Sequence, residues 1–194
     1  MLTLHKARAV RLGSTEDAEP LPGYAVVVDG DRLAAVGPYE ELLAAYGTGV
    51  RVREWDGTLT PGRHEPDGTA LLEGAYHPDP REAAELGTEP LTGAALAALP
   101  MSETRWGASA RRGLQRLLAA GTTTLAGPFT RPAVRTAVQR SGLRQTAGRT
   151  AAPGGPPHPV TVLAPGAPAD FAVFAPDGTC LATVLAGRLV HRRR

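Results

Sequence analysis

The sequence predicts a mixed α/β fold whose two ends form sheet and whose middle forms helices. Short β-prone runs bounded by Gly, Pro and Asp fill residues 2–55 and 160–190. Between them, residues 103–120 and 132–141 carry apolar positions at helical spacing, on either side of the β-branched run Thr122 to Ala126. That order of helix, strand and helix is a βα layout, and the β-rich ends suggest that the termini meet in one sheet domain.

Each element has a local cause. Leu2 to Leu12 reads as a strand ahead of a hairpin, in which Tyr24 to Val28 and Asp31 to Val36 flank Asp29 and Gly30. Gly30 can take the positive φ that a tight turn requires, and the three runs predict a small antiparallel sheet. Pro38 opens and Gly47 closes a short helix over Tyr39 to Tyr46. Val50 to Trp55 alternates as a half-buried strand does, and Asp56-Gly57 is expected to stop it. In the long helix Trp106, Ala110, Leu114, Leu117 and Leu118 share a face opposite Arg111, Arg112, Gln115 and Arg116, with Ser102 as cap and Gly121 as stop. Pro132 to Ser141 repeats the amphipathic pattern before Gly142, and Ala94 to Leu99 is helix-compatible. The pieces between Arg63 and Pro90 are interrupted by Pro and Gly, and Ala151 to Pro159 is too rich in both to be helix interior or central strand. Val160 to Leu163, Ala169 to Ala175, Thr179 to Leu185 and Arg188 to Val190 read as closing strands.

Composition removes several function classes. Of 194 residues, 42% are hydrophobic and 21% charged, which argues against wholesale disorder. A lone cysteine, Cys180, excludes an internal disulfide and a Cys-based zinc finger, so a reducing cytoplasm is expected. No run of about 18 apolar residues exists to span a membrane, and His5, Lys6, Arg8 and Arg11 interrupt the first apolar run, so no export signal is expected. Of 21 basic residues only Lys6 is lysine, the bias of a GC-rich bacterial genome rather than of a binding surface. Arg192, Arg193 and Arg194, beside His191 and Arg188, are expected to form a solvated tail, and nucleic acid is not an expected partner. No Gly-x-Ser-x-Gly elbow, Walker loop or dinucleotide fingerprint is present. Cys180 lies in an alternating strand and is expected to be a packed thiol, and Thr122 to Thr124 a buried strand.

Val26-Val-Val-Asp-Gly-Asp-Arg-Leu-Ala-Ala-Val-Gly37, followed by Gly57-Thr-Leu-Thr-Pro-Gly62, resembles the opening of amidohydrolase-superfamily enzymes. Leu163-Ala-Pro-Gly-Ala-Pro-Ala-Asp-Phe-Ala-Val-Phe174, then Val184-Leu-Ala-Gly-Arg-Leu-Val190, resembles their close. Trp106 to Leu125 and the stretch reaching Ser141-Gly-Leu-Arg144 resemble an early barrel helix, strand and helix of the imidazolonepropionase and aminodeoxyfutalosine deaminase group. The resemblance implies a composite β-sandwich domain built from residues 1–60 and 160–194. It also implies a partial, degenerate βα-barrel remnant over 61–159, ending in the Pro/Gly-rich linker 151–159. Residues 63 to 159 number 97 (159 − 63 + 1), whereas a complete eight-fold barrel takes about 250.

Members of that family carry His-x-His soon after the Pro-Gly, because side chains two apart on a strand face the same way and can grip one metal ion. Counted from Pro61-Gly62, the matching positions are Asp67 and Thr69. Asp67 can donate an oxygen, Thr69 is a poor neutral ligand, and Pro66 and Gly68 disfavour a regular strand. His5, His64, His77, His158 and His191 are scattered over unrelated elements, and His64, Glu65, Asp67 and His77 read as a solvated loop. The residues to test first are Asp67 and Glu65 for catalysis and His64, Asp67 and His77 for metal. Asp170 is expected to bond backbone. No cofactor is expected, and zinc or iron enters only if the chain is a metal-dependent hydrolase of non-peptide carbon–nitrogen bonds. The preferred expectation is an amidohydrolase-like protein acting through binding or assembly, with a second copy or another protein as partner and a small nitrogen-containing molecule as a further ligand.

Overall fold

The computed structural model describes residues 2–15, 17–147 and 161–193. The strands are β1 (Thr3–Arg11), β2 (Pro20–Pro22), β3 (Tyr24–Asp29), β4 (Arg32–Pro38), β5 (Arg51–Pro61), β6 (Arg63–Glu65), β7 (Thr122–Ala126), β8 (Arg144–Thr146), β9 (Phe171–Phe174), β10 (Cys180–Leu185) and β11 (Arg188–Arg192). The helices are α1 (Tyr39–Tyr46), α2 (Gly68–Glu73), α3 (Ala83–Leu86), α4 (Gly93–Ala97), α5 (Glu103–Ala119) and α6 (Pro132–Ser141). The fold is mixed α/β, and two compact units divide it. One holds residues 2–63, 118–123 and 161–193, the other 64–117 and 124–147.

The first unit is built on one eight-stranded sheet in the order β11-β10-β9-β5-β1-β3-β4, with β2 added to β1. Strands β1, β3 and β4 pair antiparallel as the hairpin pattern predicts, and Gly30 turns with φ +59°. The sheet as a whole is mixed, because β5 runs parallel to β1. A parallel neighbour needs a long crossover, which β3, β4 and α1 supply. Asp56-Gly57 does not stop the strand. Pairing with β1 steps from Ala7–Trp55 to Ala9–Thr58, three residues against two, so the pair forms a bulge and β5 runs on to Pro61. Gly57 is required there, since a Cβ would overlap the Phe174 carbonyl.

The alternation along β3 explains why its apolar run is unbroken. Val26 and Val28 enter a core with Val10, Leu33, Leu59, Phe171 and Val184, while Ala25 and Val27 meet Leu4, Leu42 and Val50 beneath α1. The first core joins β4 at one end of the sheet to β10 near the other, so the sheet curls round its own inner face. Backbone bonds tie the curl, with Leu33 N–H donating to Ala167 O at 2.8 Å and Ala169 N–H to Asp31 O at 2.8 Å. Of the expected closing strands, Ala169 to Ala175 narrows to β9, and the expected strand at Val160 to Leu163 reduces, over its described residues, to a single bridge between Val162 and Gly13. Arg192 belongs to β11 rather than to a solvated tail.

In the second unit α5 buries Trp106, Ala110, Leu114 and Leu117, and the Ser102 hydroxyl accepts from Arg105 N–H at 3.2 Å as its cap. The three-stranded sheet runs β6-β7-β8. Strands β7 and β8 are parallel, joined by α6, which ends at Gly142 with φ +80°. Residues 63–90 are more regular than expected, containing β6, α2, a 3-10 turn at Pro80–Glu82 and α3. Helix α2 lies so close to β7 that a Cβ at Gly68 would overlap Ala126 O. The expected linker 151–159, with His158, lies outside the described residues. Among the described residues, no helix is long and apolar enough to cross a membrane.

Candidate functional site

The residues singled out for metal and catalysis occupy different environments. His64 sits half-buried in the middle of β6, with Glu65 next to it. Glu65 Oε1 accepts from the backbone N–H of Asp67 at 2.9 Å, which turns the chain out of the strand. Asp67 is exposed at the start of α2 and makes no side-chain capping bond. Thr69 is already inside that helix and donates from Oγ1 to Pro128 O at 2.7 Å. Asp67 and Thr69 therefore do not project from one strand face.

His77 lies in a loop, as expected, but the loop is not solvated there. His77 is 2% exposed and packs against α5, where a Cβ at Gly113 would lie 2.7 Å from its Nε2. Its backbone N–H donates to Ser109 Oγ at 2.9 Å. Its Nε2 lies 3.0 Å from Leu71 O, and because a carbonyl only accepts, Nε2 carries the proton. Nδ1 is left as a buried lone pair with no hydrogen-bond partner. Burial lowers the imidazole pKa, opposed by the bond to Leu71 and helped by Arg116 and Arg112.

A hydrolytic metal centre takes about three converging ligands and an open position. Among the described residues no three His, Cys, Asp or Glu side chains are grouped to hold an ion. His77 Nδ1 keeps a lone pair, but among the described residues no two further donors converge with it, so the donor set does not fit such an ion.

What the second unit does bring together is a network that the sequence did not reveal. Tyr76 is 1% exposed, and its hydroxyl donates to Glu82 Oε2. Arg105 Nε donates to the same phenol oxygen at 3.1 Å and its Nη2 to Glu82 Oε1 at 2.8 Å. Arg112 donates to His77 O at 2.8 Å and to Asp79 Oδ2 at 3.3 Å. Both guanidinium groups lie near the Tyr76 ring, at 4.7 Å and 5.7 Å from its centroid. Asp79 and Glu82 form a reciprocal capping box on the 3-10 turn. Burial, then the bond to Glu82, raises the Tyr76 pKa, and Glu82 is held below the usual carboxylate range by the Tyr76 hydroxyl and the Asp79 N–H. Two carboxylates face two guanidiniums, so the network is a charge-balanced clasp with no free base or nucleophile. A signal for it existed: Arg105 and Arg112 are seven apart, hence on one helix face, and Asp79 to Glu82 has the spacing of a capping box.

Cys180 is buried, 3.4 Å from Ala182 O and 3.5 Å from Thr183 Oγ1, and burial pushes its thiol pKa up, as a packed thiol requires. Asp170 Oδ1 accepts from Ala186 N–H at 2.7 Å, the backbone-bonding role expected of it.

Residues 25–47 match the family described as imidazolonepropionase-like composite domain, bacteria. No curated protein matches the chain. Among solved structures, a triazine hydrolase variant is 20% identical, with TM-score 0.50 over 75% of this chain and 35% of that one. Aminofutalosine deaminase of Helicobacter pylori is 15% identical, TM-score 0.49, over 75% and 32%. E. coli guanine deaminase is 14% identical, TM-score 0.49, over 76% and 36%. The chain thus spans about a third of the length of these structures, and the likeness is one of fold. Residues 25–47, which run through β3, β4 and α1, thus resemble an imidazolonepropionase-like composite domain, and the fold of the chain resembles that of the triazine hydrolase.

Proposed function

We propose that this protein is a catalytically degenerate, imidazolonepropionase-like amidohydrolase relative that acts in the cytoplasm by binding or assembly rather than by turnover. The curled sheet of the terminal segments is the composite β-sandwich domain, and the β6-β7-β8 sheet with α2, α5 and α6 is the partial barrel. The observation that carries the proposal is the dispersal of His64, Asp67 and His77 over a strand, an exposed helix start and a buried packing position. Among the described residues β6 and β8 are the edges of their sheet, and the unpaired backbone groups of an edge are a template for another chain, which supports assembly.

Light scattering on the purified chain at micromolar concentration is expected to report a dimer or larger species, or else a pull-down from the native host a stable partner. A lone monomer without a partner overturns the assembly role. Elemental analysis of untagged protein is expected to find no stoichiometric zinc, iron or manganese. About one equivalent of metal, lost on His64→Ala and His77→Ala, would replace this proposal with a metal-dependent hydrolase of non-peptide carbon–nitrogen bonds.

A further inference from the structure

Strand β5 pairs with β9 only from Thr58 to Pro61, so among the described residues no strand pairs with residues 51–55 on that side. A groove of about 480 Å³ opens there, lined by Arg51, Arg53, Glu54, Trp55, Leu189 and Arg192. Arg51, Arg53 and Trp55 alternate along β5 and so share one face of the sheet. From β11, the Arg192 guanidinium lies 5.7 Å from the centre of the Trp55 ring. The Trp55 indole is held from below, its Nε1–H donating to Nδ1 of the buried His5 at 3.1 Å. None of Arg51, Arg53 and Arg192 has a carboxylate within ion-pair distance among the described residues, and Glu54, the acid in the groove, pairs with Lys6 at 3.5 Å.

Three guanidinium groups brought together beside a single carboxylate, itself paired with Lys6, cost stability. Burial and the fields of Arg51 and Arg192 accordingly lower the Arg53 pKa. With Glu54 included, the lining carries two net positive charges. Guanidinium forks match the paired oxygens of a phosphate group, and the volume is that of a small-molecule site.

We propose that this groove is an anion site for a small molecule bearing a phosphate dianion, held by Arg51, Arg53 and Arg192 beside Trp55. The site lies wholly within the sheet unit and stands or falls independently of the assembly role. The probes are inorganic phosphate and pyrophosphate, titrated calorimetrically into the full chain at near-physiological salt. Saturable one-site binding is expected, tighter for pyrophosphate, with a change in tryptophan emission. Arg53→Gln and Arg192→Gln are each expected to weaken it roughly tenfold or more, the effect of losing a charged hydrogen bond. Arg188→Gln, on the same strand but outside the groove, is expected to change nothing. Without ligand, Arg53→Gln is expected to melt higher than the parent because repulsion is relieved. If Arg53→Gln fails to fold, the exposed Arg192→Gln decides. The absence of saturable binding at millimolar probe, equal binding of succinate, or an equal loss in Arg188→Gln overturns the proposal.

Discussion

Ala186 is a non-glycine residue at positive φ, +47°, in the two-residue turn Ala186-Gly187 between β10 and β11. The turn matches the twist of the hairpin, but a methyl group in that region is strained. The strain is tolerated because Asp170 Oδ1 accepts the Ala186 N–H. Ala186→Gly is expected to raise stability by about 0.5–1 kcal/mol in urea unfolding, and a loss would show that the methyl makes a useful contact. His5 provides a second test. Burial, then the charge of Arg53, lowers its pKa to about 3 from 6.5. The unfolded chain therefore binds a proton between pH 6.5 and about 3 that the folded chain refuses. The stabilisation is complete above pH 6.5 and declines as pH falls, by about 1.4 kcal/mol per unit. His5→Leu is expected to lose about 1 kcal/mol at pH 7.5, where the Trp55 N–H is left without its acceptor, and to show a flatter decline between pH 6.5 and 4.5 than the parent. Parallel pH profiles would show that His5 does not titrate this way.

At the scale of elements, the 17-residue helix α5 organises the second unit. Its apolar stripe and its cap follow from the 3.6-residue period and from Ser102, so the helix was readable from sequence. Its polar side is not explained by periodicity alone: Arg112, placed opposite the apolar face, reaches His77 O and Asp79, and Arg105 reaches Tyr76 and Glu82. Periodicity places a residue on a face, but it does not say which segment returns to cover that face. Tyr76→Phe leaves Glu82 and Arg105 one partner short in a half-buried site and is expected to cost about 1 kcal/mol. Hydrogen exchange should show the amides of Tyr76, Glu82 and Gly87 less protected in that variant. An unchanged denaturation midpoint would reduce the clasp to surface decoration.

At the scale of the whole molecule, six of the twelve buried residues of the larger core come from beyond position 160: Leu163, Ala169, Phe171, Val173, Ala182 and Val184. The two ends of the chain thus complete each other. A chain ending before Leu163, in a Trp106→Phe background, is expected to lose cooperative unfolding and expose Trp55 to acrylamide quenching. Native-like shielding would mean that the N-terminal strands fold alone.

Much of this was legible in the residues themselves. Gly30, Pro38, Gly47 and Gly142 punctuate the chain because few backbone conformations suit those positions, and alternation or helical spacing between them names the element. The lack of a metal-gripping pair after Pro61-Gly62 was equally visible. What the tertiary structure decided is everything that depends on a distant neighbour. It made β5 parallel to β1, turned Asp56-Gly57 into a bulge, sank His77 under α5 and set Arg192 beside Arg53 and Trp55. The physical reason is range: turn and helix preferences act over a few residues, whereas burial and charge proximity are set by residues far along the chain, from Gly113 against His77 to Arg192 against Trp55.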